Sequence, residues 1–357
     1  MAFMRLLALL GLITACAQAP LEIDRDAQGE PILATVPYDV VVLLREGRET
    51  AGDPGLFIEH ANFRYTFAAP EHRQAFAADP DRFAVQQGGA CGRMGALSGT
   101  GSPRLHAVHE GKLYFFASEG CREGFLAAPE SVVAPLMDPI ITAGTNEALL
   151  AHELLTKSLD FLGGAEAVDG AQLDWSLQTE QEYGGVNYQV RQREVVGPGA
   201  RYRYDSAWND DESGYRLADG AGSLSNSSSG TRTAQLAQVR EMERRHQAHL
   251  LAVYQQRDGE HTYLCAEPGE AGVEILHISV QGIGHRIGVE RETGRIVWHE
   301  YLGVGPEIHF GTVRDSFRAW EVQDGIAIPI GWTRSFEGEE VAQVHRGDEG
   351  WRVKVRR

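Results

Sequence analysis

The sequence predicts an α+β chain in two parts. A small α+β module comes first, followed by a curled antiparallel β-sheet, an open half-barrel, with one or two helices packed in its mouth. Three observations predict this. A strand–helix phrase occurs twice between residues 62 and 132, alternating strands fill most of the chain from residue 172 onward, and two amphipathic helices interrupt those strands.

The N-terminus bears on compartment. Residues 1–15 hold one basic residue, Arg5, then an apolar run from Leu6 to Ile13 that is too short for a stable bilayer span, as expected of a secretory signal. The run ends in Ile13-Thr14-Ala15-Cys16, which resembles the lipobox of bacterial lipoproteins. The resemblance implies cleavage before Cys16 and acylation of its thiol. Each buried methylene then contributes about 0.8 kcal/mol to anchoring. Ala17, and not an acidic residue, follows the cysteine, which by analogy favours the outer membrane, facing the periplasm. Residues 16–38 are polar and contain Pro20, Pro31 and Pro37, and are expected to form a lipidated tether. The formal net charge of −17 disfavours phosphate backbones, so no nucleic-acid partner is expected.

The first module is expected over residues 39–139. "NFRYTFAAPEHRQAFAADPDRF" aligns without a gap on "GKLYFFASEGCREGFLAAPESV": Tyr65 on Tyr114, Phe67 on Phe116, Phe76 on Phe125 and Pro80 on Pro129. Each copy has an alternating aromatic strand, then a short helix with an early acidic charge. One supersecondary unit is used twice. With the preceding "CGRMG", the second copy resembles a YHS domain over about 80 residues. Metal-binding members of that family place a cysteine just after the strand, where this chain has Ala117. The thiols left are Cys91 and Cys121. A soft metal such as copper or zinc held by Cys91, Cys121 and His72 is one expectation. His106 and His109 stand nearby in sequence. A Cys91–Cys121 disulfide, closing a loop of about 30 residues, is another and would contribute roughly 3–4 kcal/mol. Simple burial of two small side chains is a third.

The second part is expected over residues 147–357. "NEALLAHELLTKSLDFLGG" is an amphipathic helix stopped by Gly163-Gly164. "TAQLAQVREMERRHQAHLLAVYQQ" is a second, with Leu236, Val239, Met242, His246, Leu250 and Val253 on one face. Arg291-Glu-Thr-Gly294 and Gln323-Asp-Gly325 are hairpin turns. An antiparallel sheet this long curls to manage its edges. The pattern, including "LDFLGGAEAVDGAQ" and "VERETGRIVWHEYLG", resembles the LolA/LolB type of half-barrel. That resemblance implies a concave apolar face holding acyl chains or another hydrophobic ligand, and nominates Trp175, Leu177, Trp208, Ile287, Trp298, Trp320 and Trp332 as lining. Taken one by one, the same residues read first as plain core. No phosphate loop, dinucleotide fingerprint, HExxH or GxSxG occurs, and His246 and His249 have no obvious acidic partner, so a non-catalytic role is expected.

Overall fold

The computed structural model describes residues 24–129, 144–183, 186–208, 211–227, 230–259, 263–269, 271–304, 310–345 and 352–356. The expected signal segment, Cys16 and most of the boundary near residues 137–147 lie outside the described residues.

The strands and α-helices of the first part, among the described residues, are β1 (Ala34–Val36), α1 (Val40–Glu46), β2 (Asp53–His60), β3 (Phe63–Phe67), α2 (Pro70–Ala78), α3 (Pro80–Phe83), β4 (Ser102–His109), β5 (Lys112–Phe116) and α4 (Glu119–Ala127). The repeated phrase folds into a repeated unit. β2–β3 and β4–β5 are hairpins whose two-residue turns have positive φ, at Ala61-Asn62 and at Glu110-Gly111. Each hairpin has a register shift at the same place, between Asp53 and Phe57 and between Ser102 and His106. Each inner strand also has a parallel neighbour: β1 beside β3, and bridges from Val85 and Cys91 beside β5. Just ahead of each outer strand, Gly52 and Gly101 pass so close to Thr66 and Phe115 that an added Cβ would lie within 2.8 Å of them. Phe76 on α2 and Phe125 on α4 are each fully buried against the aromatic face of their own hairpin.

Two differences from expectation stand out here. The distal part of the expected tether is folded. Ile32, Val36 and Tyr38 are buried, and β1 pairs along β3, where Val36 and Tyr38 complete the core around Phe63, Tyr65 and Phe67. Helix α1 was not anticipated. Asp39 caps its apolar run Val40–Leu43 by accepting from the amides of Val41 and Val42.

The second part comprises α5 (Thr145–Leu162), α6 (Ala165–Gly170), β6 (Gln172–Tyr183), β7 (Val186–Gly197), β8 (Arg201–Trp208), β9 (Asp211–Ala218), β10 (Ala221–Asn226), β11 (Gly230–Thr233), α7 (Leu236–Gln247) and α8 (Leu250–Gln255). Strands β12 (Tyr263–Pro268), β13 (Val273–Val280), β14 (Ile283–Glu290), β15 (Ile296–Val304), β16 (Phe310–Gln323), β17 (Ile326–Phe336), β18 (Glu339–His345) and β19 (Arg352–Arg356) follow. They form two seven-stranded antiparallel sheets. One runs in the order β11-β10-β9-β8-β7-β6-β19 and the other is a simple meander from β12 to β18. Neither sheet closes on itself, so the architecture is α+β with open antiparallel sheets, as expected. The sheets meet where Trp175 on β6 stacks on Trp332 on β17, with ring centroids 5.7 Å apart.

The helices fill the space between. Helix α5 buries Ala151, Leu154, Leu155, Leu159 and Leu162 against β12, β13 and β17. The second amphipathic helix is two helices. The chain breaks at Ala248, and His249 restarts it as the N-cap of α8, its Nδ1 accepting from Leu251 N. Helix α7 packs on β8–β10 through Val239 and Met242, and its first turn touches the first part of the chain. There the buried Gln238 donates to the carbonyl of Ala96 at 3.1 Å, and Leu97 packs beneath it.

The duplicated unit predicts matched energetics. Phe76→Ala and Phe125→Ala should each destabilise the protein by about 3–5 kcal/mol, measured as a shift in urea unfolding free energy.

Candidate functional site

Period-two alternation along five strands brings one set of side chains to the space between the sheets. β6 contributes Leu173 and Trp175, β7 Gln192 and Glu194, and β8 Tyr202 and Tyr204. From the facing sheet come His299 and Tyr301 on β15, and Asp315 and Phe317 on β16. The register of β16 then shifts on either side of Ala319, and this irregularity re-aims Trp320 to the same side as Phe317. The cavity has a volume of about 490 Å³, within the range for one small-molecule ligand.

Its lining is two-faced. One end is apolar, formed by Leu162, Leu173, Phe317, Trp320, Ile326 and Ile328, among others. The other end carries three arginines and their partners. Arg334 donates from Nε and Nη2 to both oxygens of Asp315, each at 2.8 Å. Arg244 and Arg245, in the last turn of α7, share Glu241, and Arg245 also donates to the Tyr215 hydroxyl. Glu194 accepts from Trp175 Nε1 at 2.8 Å and from the Tyr202 hydroxyl at 2.6 Å. Every carboxylate here is therefore engaged. The donors are not exhausted. The bonds above leave Nη1 of Arg334, Nη1 of Arg244 and Nη2 of Arg245 uncommitted, and the Tyr301 hydroxyl has no hydrogen-bond partner among the described residues. Arg334 leaves 42% of its side chain accessible, and it lines the cavity, so that surface is cavity surface. Burial pushes the Tyr301 phenol up to about 12, keeping it a neutral donor.

Beneath Tyr301 lies a histidine pair. His285 Nδ1 and His299 Nε2 are 3.0 Å apart, and both rings are buried. One ring must donate and the other accept, so the two rings cannot both be protonated. Burial holds His299 down to about 3, with His249 and Arg334 adding repulsion, and holds His285 well below its ordinary value. Burial likewise lowers His249, whose ring meets Trp175 edge-on at 5.1 Å.

Of the tryptophans nominated from sequence, Trp175, Trp320 and Trp332 line the cavity. Trp208 and Trp298 do not. Trp208 is exposed, and Trp298 alternates with His299 to the opposite face, where Arg314 lies 4.0 Å over its ring. Ile287 belongs to the core beneath α5, and the Leu177 side chain lies outside the described residues. The polar end went unanticipated. Glu194, Arg244, Arg245, Asp315 and Arg334 look like ordinary surface charges in sequence. The one available signal was that Asp315 and Arg334 fall on inward positions of neighbouring strands.

In the first part of the chain, Cys91 and Cys121 come together and both thiols are free. Cys91 is fully buried and Cys121 is half-exposed. The Cys91 sulfur accepts from Ala117 N at 3.4 Å, and the amides of Met94 and Arg93 act on it too; burial nonetheless pushes its thiol up. His72 is not with them. Its Nδ1 lies 2.6 Å from Asp39 Oδ2 in the other unit's core, because α2 and not α4 carries it. Among the described residues no group of three or more His, Cys, Asp and Glu is arranged to hold a metal ion.

No known protein family's profile matches the chain, and no curated protein matches it. Solved structures similar to it include a DUF1329 family protein from Desulfovibrio piger, with 10% identity over 58% of this chain and 90% of that one and a TM-score of 0.33. A putative outer membrane lipoprotein-sorting protein domain from Vibrio parahaemolyticus shares 7% identity over 57% and 90%, with a TM-score of 0.32. A LolA superfamily protein from Nitrosomonas europaea shares 10% identity over 57% and 89%, with a TM-score of 0.31. At these values the likenesses assign no ligand to the cavity.

The histidine pair sets an acid limit. Above about pH 6.5 both histidines are neutral folded or unfolded; below it the unfolded chain takes up protons that the folded chain refuses, for His299 down to about pH 3. Stability should therefore fall with falling pH across that window, by at most about 1.4 kcal/mol per pH unit for each histidine. Urea midpoints measured at several pH values should show this, and His285→Asn with His299→Gln should flatten the profile.

Proposed function

We propose that the two-sheet part of this protein is a non-catalytic carrier for one single-chain amphiphile, held with its tail among Leu162, Phe317, Trp320 and Ile328 and its head at Arg334 and Tyr301. The observation that carries this reading is the two-faced lining of one cavity of about 490 Å³. The apolar end favours transfer of a chain from water at roughly 25 cal/mol per Å². The head end offers donors in surplus while its carboxylates are already engaged, so it favours an oxygen acceptor, best a carboxylate or a phosphate monoester. Three arginines stand against the carboxylates Glu194, Glu241 and Asp315, so the preference arises from unspent donors and not from net charge.

Setting is part of the proposal. Cys16 is read as the acylation site, with residues that follow it leading to the folded part at the periplasmic face of a membrane, the outer membrane by preference. The lipoprotein-sorting and LolA superfamily names of the similar structures agree with an envelope role. The first part, read as a YHS-like module, is a scaffold docked on α7.

Two measurements test this. Tryptophan fluorescence should report saturable binding of hexadecanoate at one equivalent, since Trp175, Trp320 and Trp332 line the cavity. Hexadecanoate should bind about tenfold or more tighter than hexadecanol or methyl hexadecanoate. Arg334→Gln combined with Asp315→Asn, which removes both charges together, should abolish that preference and leave hexadecanol binding unchanged. If none of the three ligands binds and native mass spectrometry finds no co-purified lipid, the carrier reading fails. Separately, metabolic labelling with an alkynyl fatty acid should tag the wild type and not Cys16→Ser.

A further inference from the structure

The two units of the first part place different chemistry at one position. In the first unit, Asp39 is fully buried and its carboxylate accepts from the amides two and three residues on, Val41 and Val42, and from Ala68 at the end of β3. His72, in the first turn of α2, completes the site at 2.6 Å. In the second unit, Cys91 is fully buried and its sulfur faces the amides two and three residues on, Arg93 and Met94, and Ala117 at the end of β5. Cys121, in the first turn of α4, completes it. Ala117 and Cys121 are the counterparts of Ala68 and His72 in the ungapped alignment of the two copies. The same three-amide cradle thus holds a carboxylate against an imidazole in one unit and a thiol against a thiol in the other.

We propose that Cys91 and Cys121 form a redox-active dithiol that closes reversibly to a disulfide, with Cys121 as the entry thiol and Cys91 as the resolving one. The assignment of roles follows from access. Cys91 is sealed beneath Tyr114, Phe116 and Phe125, whereas Cys121 is half-exposed. An external disulfide, R–S–S–R, therefore reaches only Cys121. The Cys121 thiolate attacks one sulfur, forming a mixed disulfide and releasing one R–S⁻. Cys91, which solvent does not reach, gives its proton to the departing R–S⁻ as it attacks the Cys121 sulfur, so the Cys91–Cys121 bond forms and the second R–SH leaves. Two protein thiols are oxidised by two electrons, and the external disulfide is reduced to two thiols. The amide cradle stabilises the negative charge that develops on the Cys91 sulfur during the second step. Cys265 lies on β12 in the other part of the chain and takes no part.

The test uses the full chain equilibrated in buffers of oxidised and reduced glutathione. Peptide mapping of the oxidised wild type should recover a Cys91–Cys121 link, the intact mass should fall by two hydrogens, and dithiothreitol should reverse both. Cys91→Ser should instead retain one glutathione on Cys121, and Cys121→Ser should leave Cys91 unmodified. The equivalence itself is tested by Cys91→Asp with Cys121→His, which should fold with a thermal midpoint within about 5 °C of the wild type. The proposal is overturned if wild-type Cys91 and Cys121 stay reduced in oxidised glutathione, if stable glutathione remains on wild-type Cys121, or if the recovered link involves Cys265. Failure of the double exchange to fold, while Cys121→Ser folds normally, would overturn the equivalence on which the proposal rests.

Discussion

A guanidinium beside an apolar cavity is tolerable only if a carboxylate is fixed against it. That constraint organises the space between the two sheets. Arg334 is held by both oxygens of Asp315 across neighbouring strands, and Arg244 and Arg245 are held by Glu241 on their own helix. Once the carboxylates are committed, one nitrogen of each guanidinium is left outside those bonds. The surrounding groups follow suit. Burial keeps Tyr301 a neutral phenol and holds His285 and His299, bonded to each other, below their ordinary range, so they add no further positive charge to that space. The apolar end needs no such arrangement, which is why a single cavity can have two chemically distinct ends.

Much of this fold was legible in the sequence. Period-two alternation located nearly every strand of the two sheets, and the Leu149–Leu162 stripe located α5. What stayed hidden has physical reasons. The break at Ala248 was masked because α7 and α8 share helical periodicity, and only the N-cap role of His249 reveals the restart. A bulge moves Trp320 onto the cavity face, which strict alternation cannot anticipate. Trp298 shows the converse error: a large aromatic on a strand suggests a lining, yet the small neighbour Gly288 and the cation of Arg314 give it a seat on the outer face. The charged residues of the cavity were invisible because charge pairs are made between strands, and a single chain does not display its pairings.

The first part teaches a related lesson about repeats. Alignment of the two copies identified His72 and Cys121 as counterparts, and that was correct in position while misleading in chemistry. Counterparts in a duplication occupy equivalent places in separate copies, so they cannot act together. Asp39 and Cys91, which do share a role, lie outside the strand–helix phrase that repeats, and only the common cradle of backbone amides reveals them. Backbone geometry here outlasts side-chain identity.

Helix α7 connects all of this. Twelve residues span about 18 Å. Gln238, near its start, is bonded to Ala96 of the first part, while Arg244 and Arg245, near its end, form part of the head end of the cavity. One rigid rod is thus anchored to the thiol-bearing module at one extremity and presents guanidinium groups to the cavity at the other. The segment from Cys91 to Ala96 that contacts the rod begins at the buried thiol itself. The buried thiol and the charged wall of the cavity thus stand at opposite ends of one helix.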